Sequence, residues 1–441
     1  MGELGLKEAV AMALGGMIGG GIYSAFGIVV AISGTLAWFA FLLAGAVAMC
    51  AGYSYVKLNE LVEGNGGAPT YISAFVGNST LAGMTGWTLL FGYIGSMALY
   101  AYAFSSFFSE LVGRLHVGGV PVANAVSVLL IAVFVGLNLL GAAETGKAED
   151  VLTFFKIAVI GVFGVWGVWF AFNGHALSFG VSRISFTPIV GAAMSFVAFQ
   201  GWQLLMYDQG QFENPRDDIR KAIYVSIPAA TLLYVLVALT TVSLLEIAVI
   251  SVSPEVSLLY AGLQFMGRIG AFVIGLSALF STASAVNATL FSSALFSRDL
   301  IAMGLMPEWA GSGTDSASNG DDRGIPKKIV IVLGILSAAF AVFGSLRSIT
   351  SFASLAFIAV FGGMSYLAYA NRDEIDLLSP VPLFGLIGCA AFFPLLLYSL
   401  YIDDPTTLAL VLLIAALVVG TELLYFEREP VEEALPWMER K

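Results

Sequence analysis

Residues 15–23 read GGMIGGGIY. Five of the nine are glycine, and the stretch lies inside the first apolar segment of the chain. Each glycine costs a helix interior about 1 kcal/mol. A segment that has to be helical is therefore written to come apart in its middle. Two explanations compete. Small residues let membrane helices approach closely, and Gly15, Gly16, Gly19 and Gly20 have the spacing for that. The run Gly19–Gly21 exceeds what packing needs and suits a break whose backbone touches a ligand.

The surroundings of that stretch decide the class. The chain has 441 residues, 59% hydrophobic and 11% charged, against about 25% charged in a soluble domain. Polar groups cannot cover such a surface, so the outer solvent is lipid. The apolar runs are near 20 residues long, which makes the spans helices rather than barrel strands. Twelve segments are expected, at 8–30, 34–57, 80–111, 119–141, 150–172, 187–210, 222–246, 264–296, 327–345, 348–370, 380–400 and 406–426. An even number places both termini on one side. Taking that side as cytoplasmic puts fourteen of the nineteen Lys and Arg residues inside and four outside (Arg114, Arg183, Arg268, Arg347), with Lys156 within a span. This bias orients the chain in the cell membrane with cytoplasmic termini. The first segment has no small-x-small cleavage site and is not read as a signal peptide.

The same sequence argues against other classes. The longest polar break, 310–326, carries the acidic run GTDSASNGDD at 313–322 and is too short for a soluble domain. Cys50 and Cys389 lie in apolar runs, and His116 and His175 fall in outer loops, so no metal, cofactor or catalytic constellation is expected. The net charge of −11 gives no reason to expect nucleic acid. A channel would want rings of like residues, and a sensor would want an output domain.

A second interruption lies at 195–203, SFVAFQGWQ, where Gln200, Gly201 and Gln203 fall in mid-span. Segments one and six are thus the two disturbed ones, five apart. Transporters built from inverted repeats show that placement. Segments one to five and six to ten would be the repeats, giving a transport core over 1–372 and two appended helices over 373–441. Open backbone at membrane depth has to line a cavity. One half-helix there offers amides and the positive dipole end, and the other offers carbonyls. An α-amino acid is the simplest molecule with matching ends.

These residues resemble the amino acid–polyamine–organocation (APC) superfamily. Gly15–Tyr23 with Ser24 and Gly27 looks like its first-helix signature. Glu60 with Gly66, Gly67 and Tyr71, then Gly86-Trp87, Phe196–Gly201, Glu213-Asn214-Pro215, and Arg298 with Pro307 resemble its later motifs in order. The likeness runs over about 5–372. It implies a LeuT-type 5+5 inverted repeat, with an amino acid held between broken helices one and six. Carried over, the substrate carboxylate would meet the amides of Gly20 and Gly21, with Gly19 making room. The ammonium would meet the carbonyls of Met17, Val197 and Gln200. Phe196, Phe199 and Trp202 would form or gate the side-chain pocket. Gln203 departs from the acidic residue often found there. The pocket walls (Gly92, Ser96, Met97, Asn287, Ser351, Phe352) carry no charge, which favours neutral amino acids over polyamines.

Lys156 lies about two turns into the fifth span. A lysine there costs about 3 kcal/mol at the membrane centre, unless it snorkels to the surface. The resemblance implies that it takes the place of a sodium ion, between a helix-one carbonyl near Gly19 and the hydroxyls of Ser281 or Ser284. Desolvation disfavours a buried ammonium, so such a lysine can load and release the proton of a symport cycle.

Overall fold

A computed structural model describes residues 4–62, 67–113, 116–117, 120–140, 146–174, 176–180, 186–207, 209–311 and 325–425. Gly66, Arg114, His175, Arg183, the run 313–322 and residues 426–441 lie outside them. The described chain is almost entirely helical. In order come α1 (Leu6–Gly16), a π segment (Met17–Gly21), α2 (Ile22–Ser33), α3 (Ala37–Asn59), α4 (Ala68–Val76) and α5 (Ser79–Val112). A small hairpin, His116–Val117 with Val120–Pro121, leads into α6 (Val122–Leu139) and α7 (Gly146–Asn173). Then follow α8 (Thr187–Ser195), 3-10 turns over Phe196–Phe199 and Trp202–Tyr207, α9 (Pro215–Leu244) and α10 (Ile247–Val252). The last part holds α11 (Ser257–Ala302), α12 (Glu308–Gly311), α13 (Lys327–Phe343), α14 (Leu346–Ala370), α15 (Pro380–Asp403) and α16 (Pro405–Gly420).

Local sequence explains many of the helix ends. Proline opens α9, α15 and α16, where its fixed φ is already helical and its missing N–H is not needed. Asn78 caps α5 by accepting the Leu81 amide at 2.8 Å, and Asp404 caps α16 by accepting that of Thr407 at 3.1 Å. Gly267, with φ 66, bends α11 within its 46 residues.

Among the described residues, ten helical stretches are long and apolar enough to cross a membrane. The first, Leu6–Asn59, runs for 54 residues and is interrupted at Gly34, with φ 59. Burial separates centre from rim. The best membrane window of the 187–207 stretch is 89% buried and that of α14 is 83%, whereas those of α6 and of the last stretch are each 17% buried. The core is therefore built where α5 packs on α11 and on α14, around the residues that follow α1 and α8. α6 and α16 present leucine and valine outward, which only a hydrocarbon solvent tolerates.

One glycine shows how tight the centre is. A β-carbon on Gly27 would lie 1.7 Å from the Pro254 carbonyl oxygen, whereas one on Gly363 would meet nothing within 4 Å. Gly27→Ala must push two backbones apart, and overpacking of this kind costs about 1–3 kcal/mol. Gly363→Ala adds only helix propensity. In purified protein, Gly27→Ala is expected to lower the thermal unfolding midpoint by several degrees and Gly363→Ala to leave it level or raise it.

Candidate substrate site between the first helix and the sixth

The two glycine-marked regions meet in the buried centre, but they differ in kind. In the sixth span the helix does open. Gln200 takes an extended conformation (φ −82, ψ 156), and Gly201 has φ 126. A β-carbon at 201 would come within 2.9 Å of the Gly16 backbone, so only glycine fits both the torsion and the space. In the first span the chain stays helical. Gly16 and Gly21 keep helical torsions (−65, −50 and −62, −59), and the turn between them widens to a π turn. The expected unwound gap in helix one is thus a single wide turn. Such π turns carry hydrogen bonds five residues back.

Close neighbours account for the small residues here. A β-carbon on Gly20 would fall inside the Tyr100 ring, at 2.0 Å, and one on Gly21 would strike Ala198 at 2.6 Å. Met17, Phe196, Val197, Phe199 and Trp202 have no exposure, and Gln200 has 1%. The junction is closed to solvent.

The backbone groups opened in the sixth span find side-chain partners, two of them on other helices. The Val197 amide donates to Ser354 Oγ of α14 at 3.1 Å. The Gly201 amide donates to Gln203 Oε1 at 2.7 Å. The Tyr234 hydroxyl, on α9, lies 2.7 Å from the Met17 carbonyl oxygen and 2.9 Å from that of Ala198. It ties the π turn to the break. Gln203 also donates to Gln200 Oε1 at 3.2 Å, and Gln200 donates to the Tyr100 hydroxyl. Gln203 Nε2 sits 3.5 Å from Tyr93 Oη, which pairs with Tyr207 Oη at 2.7 Å. A buried column of hydroxyls and amides therefore follows the break. It gives a reason for glutamine at 203: an amide accepts and donates there, whereas a carboxylate only accepts.

The aromatic residues expected to line a pocket pack in different directions. Phe196 meets Phe361 and Phe392 at 5.7 and 6.1 Å. Trp202 meets Tyr55 and Phe361, each at 5.1 Å. Only Phe199 turns to Tyr234, at 5.2 Å. Gly92 rests on Phe357 and Ala356 of α14, and Asn287 accepts from Asn138 of α6 at 2.9 Å.

Lys156 on α7 is 2% exposed and does not snorkel. Its Nζ donates to the Gly15 carbonyl at 3.1 Å. A β-carbon on Gly19 would lie 3.2 Å from that nitrogen and 3.3 Å from the Ser281 carbonyl oxygen. Lys156, Gly15, Gly19 and Ser281 are thus brought together. The Ser281 hydroxyl is buried and meets no hydrogen-bond partner among the described residues. Ser284 is half-buried on the same helix.

A profile of the amino acid permease family matches residues 4–420. The chain belongs to that family. As a permease it is a multi-pass membrane transporter of the APC superfamily. It is similar to an uncharacterized protein of Methanocaldococcus jannaschii, 28% identical over 404 residues, or 91% of this chain and 90% of that one. The serine/threonine exchanger SteT of Bacillus subtilis is 25% identical over 302 residues, 66% of each chain. Among solved structures, a mutant of the Eremococcus coleocola manganese transporter shares the fold. Its TM-score is 0.59 at 13% identity, covering 95% of the permease and 92% of that chain.

Four residues of the permease's centre escaped the sequence reading: Tyr93, Tyr100, Tyr207 and Tyr234. Tyr93 and Tyr100 stand seven apart on α5, one helical face, and that spacing was the available signal. Tyr234→Phe removes the donor shared by two buried carbonyls, at a cost of about 1–3 kcal/mol. Gln203→Glu deletes two donors and adds a buried charge. Thermal unfolding of the purified permease is expected to show both variants destabilised, Gln203→Glu more than Tyr234→Phe.

Proposed function

We propose that the permease is a secondary active importer of amino acids, neutral and of broad range, that works by alternating access and is driven by protons. The observation that carries this reading is the buried meeting of the Met17–Gly21 turn with the open 197–201 backbone, with Lys156 hydrogen-bonded beside it. In the closed arrangement the Tyr234 hydroxyl has one proton for the Met17 and Ala198 carbonyls. A substrate ammonium has three and would relieve that shortage, with Val197 and Gln200 supplying further carbonyls. The carboxylate would lie toward Gly20 and Gly21 once the Tyr100 ring withdraws, with Gly19 giving room. Phe196, Phe199 and Trp202 then act as packing that moves with the gate. The uncharged column beside the site favours neutral side chains.

In this reading the fold has twelve spans in a 5+5 inverted repeat plus two. Leu6–Asn59 would be about 80 Å long as one rod, more than twice the hydrocarbon thickness. It therefore counts as two spans, and α13, with 17 residues, adds another. Residues 1–372 form the transport core and 373–441 the appended part, with both termini cytoplasmic in the cell membrane. Lys156 takes the proton role, with Ser281 and Ser284 as its hydroxyl neighbours on α11. The likeness to a serine/threonine exchanger supports a second reading, obligate exchange of amino acids.

Uptake of labelled serine, alanine and leucine into proteoliposomes separates the two. An inward proton gradient is expected to concentrate substrate several-fold in empty vesicles, and Lys156→Ala to abolish the concentration while sparing exchange. Uptake that needs internal amino acid and ignores the gradient would replace the symport reading with exchange.

A further inference from the structure

Away from the centre, the outer face of the permease carries a groove between α5, α13 and the chain around α12. Its cavity volume is about 120 Å³, and it is partly open to the surroundings. Every residue that lines it is apolar except Lys328. Lys328, Val332 and Leu336 recur at intervals of four and so form one line on α13, about 12 Å long. Val332 is 48% exposed and Leu336 42%. Trp87 and Ile94 of α5 and Trp309 of α12 also line it.

What surrounds such a groove in a membrane is hydrocarbon. α13 packs on α6 and α5, and α6 is one of the least buried helices, so this flank faces lipid. An unfilled apolar groove forfeits dispersion contacts along its whole lining, and an acyl chain restores them. The polar end is equally specific. Lys328 stands in the first turn of α13, where the span begins, with Lys327 beside it. Lys328 is exposed, and its Nζ lies 3.5 Å from the Trp309 carbonyl oxygen. Basic residues at the mouth of a gap between spans attract anionic headgroups.

We propose that this groove holds one acyl chain of an anionic phospholipid, with its phosphate on Lys328. The lipid lies on α5 one residue from Tyr93, a member of the hydroxyl column, and so supports from outside the helix that carries two of the site's tyrosines.

Native mass spectrometry of the full chain, titrated with phosphatidylglycerol or with phosphatidylcholine of the same acyl chains, tests this. The wild type is expected to retain phosphatidylglycerol several-fold better. Lys328→Ala should bring it down to the phosphatidylcholine level, and Val332→Trp, which fills the groove, should lower retention of both. Lys221→Ala, a change at an exposed lysine on α9, should leave retention unchanged. In nanodiscs, chain-brominated phosphatidylglycerol should quench tryptophan fluorescence, and Trp87→Phe should shrink the quenched share. Equal retention of the two lipids by the wild type, or retention indifferent to both Lys328→Ala and Val332→Trp, overturns the proposal. So does a dimer that disappears in Val332→Trp, since a second copy would then occupy the face.

Discussion

Peptide groups released inside a membrane have no water to turn to, and the centre of this permease is arranged around that fact. Where α8 ends at Ser195 the chain loses its regular ladder. The partners that replace it come from Ser354 on α14, Tyr234 on α9 and the side chain of Gln203. A buried polar group left without a partner costs about 1–3 kcal/mol, so each of these side chains has to be held at hydrogen-bonding range. α9 and α14 must therefore pass close to the break, and Gly16 and Gly201 have to touch backbone to backbone. The packing of the bundle follows from satisfying a handful of amides and carbonyls.

Much of the architecture was legible in the sequence because lipid is a strict solvent. It demands long uninterrupted apolar runs, so the interruptions at Gly19–Gly21 and Gln200–Gly201 stand out, as does the ammonium of Lys156. The nature of the first interruption was not legible. Glycine propensity states that a regular helix is weakened there. Whether the backbone opens or only widens depends on Tyr100, Ala198 and Ser281, which arrive from distant parts of the chain. The directions of the aromatic side chains were not legible for a related reason. Phe196 and Trp202 flank the break in sequence, yet the short 3-10 turns aim them at α3, α14 and α15. Tyrosines in apolar spans read alike whether they face lipid or the centre, and only the fold shows which hydroxyls meet.

α5 joins these levels. Its inner face carries Tyr93 and Tyr100, and Gly20 can approach it only because that glycine has no side chain. Its outer face carries Trp87 and Ile94 toward the groove beside α13. One helix thus borders both the candidate site and the groove, and a tilt of α5 changes both together.

The column from Tyr100 through Gln200, Gln203 and Tyr93 to Tyr207 is built wholly from groups without formal charge. The membrane potential exerts about 2.3 kcal/mol per elementary charge per 100 mV, and it has nothing to act on there. Swinging these side chains aside is electrically silent work. Whatever sensitivity to voltage the central machinery has must enter through Lys156, the ammonium at its edge, and through the charges of the molecules it carries.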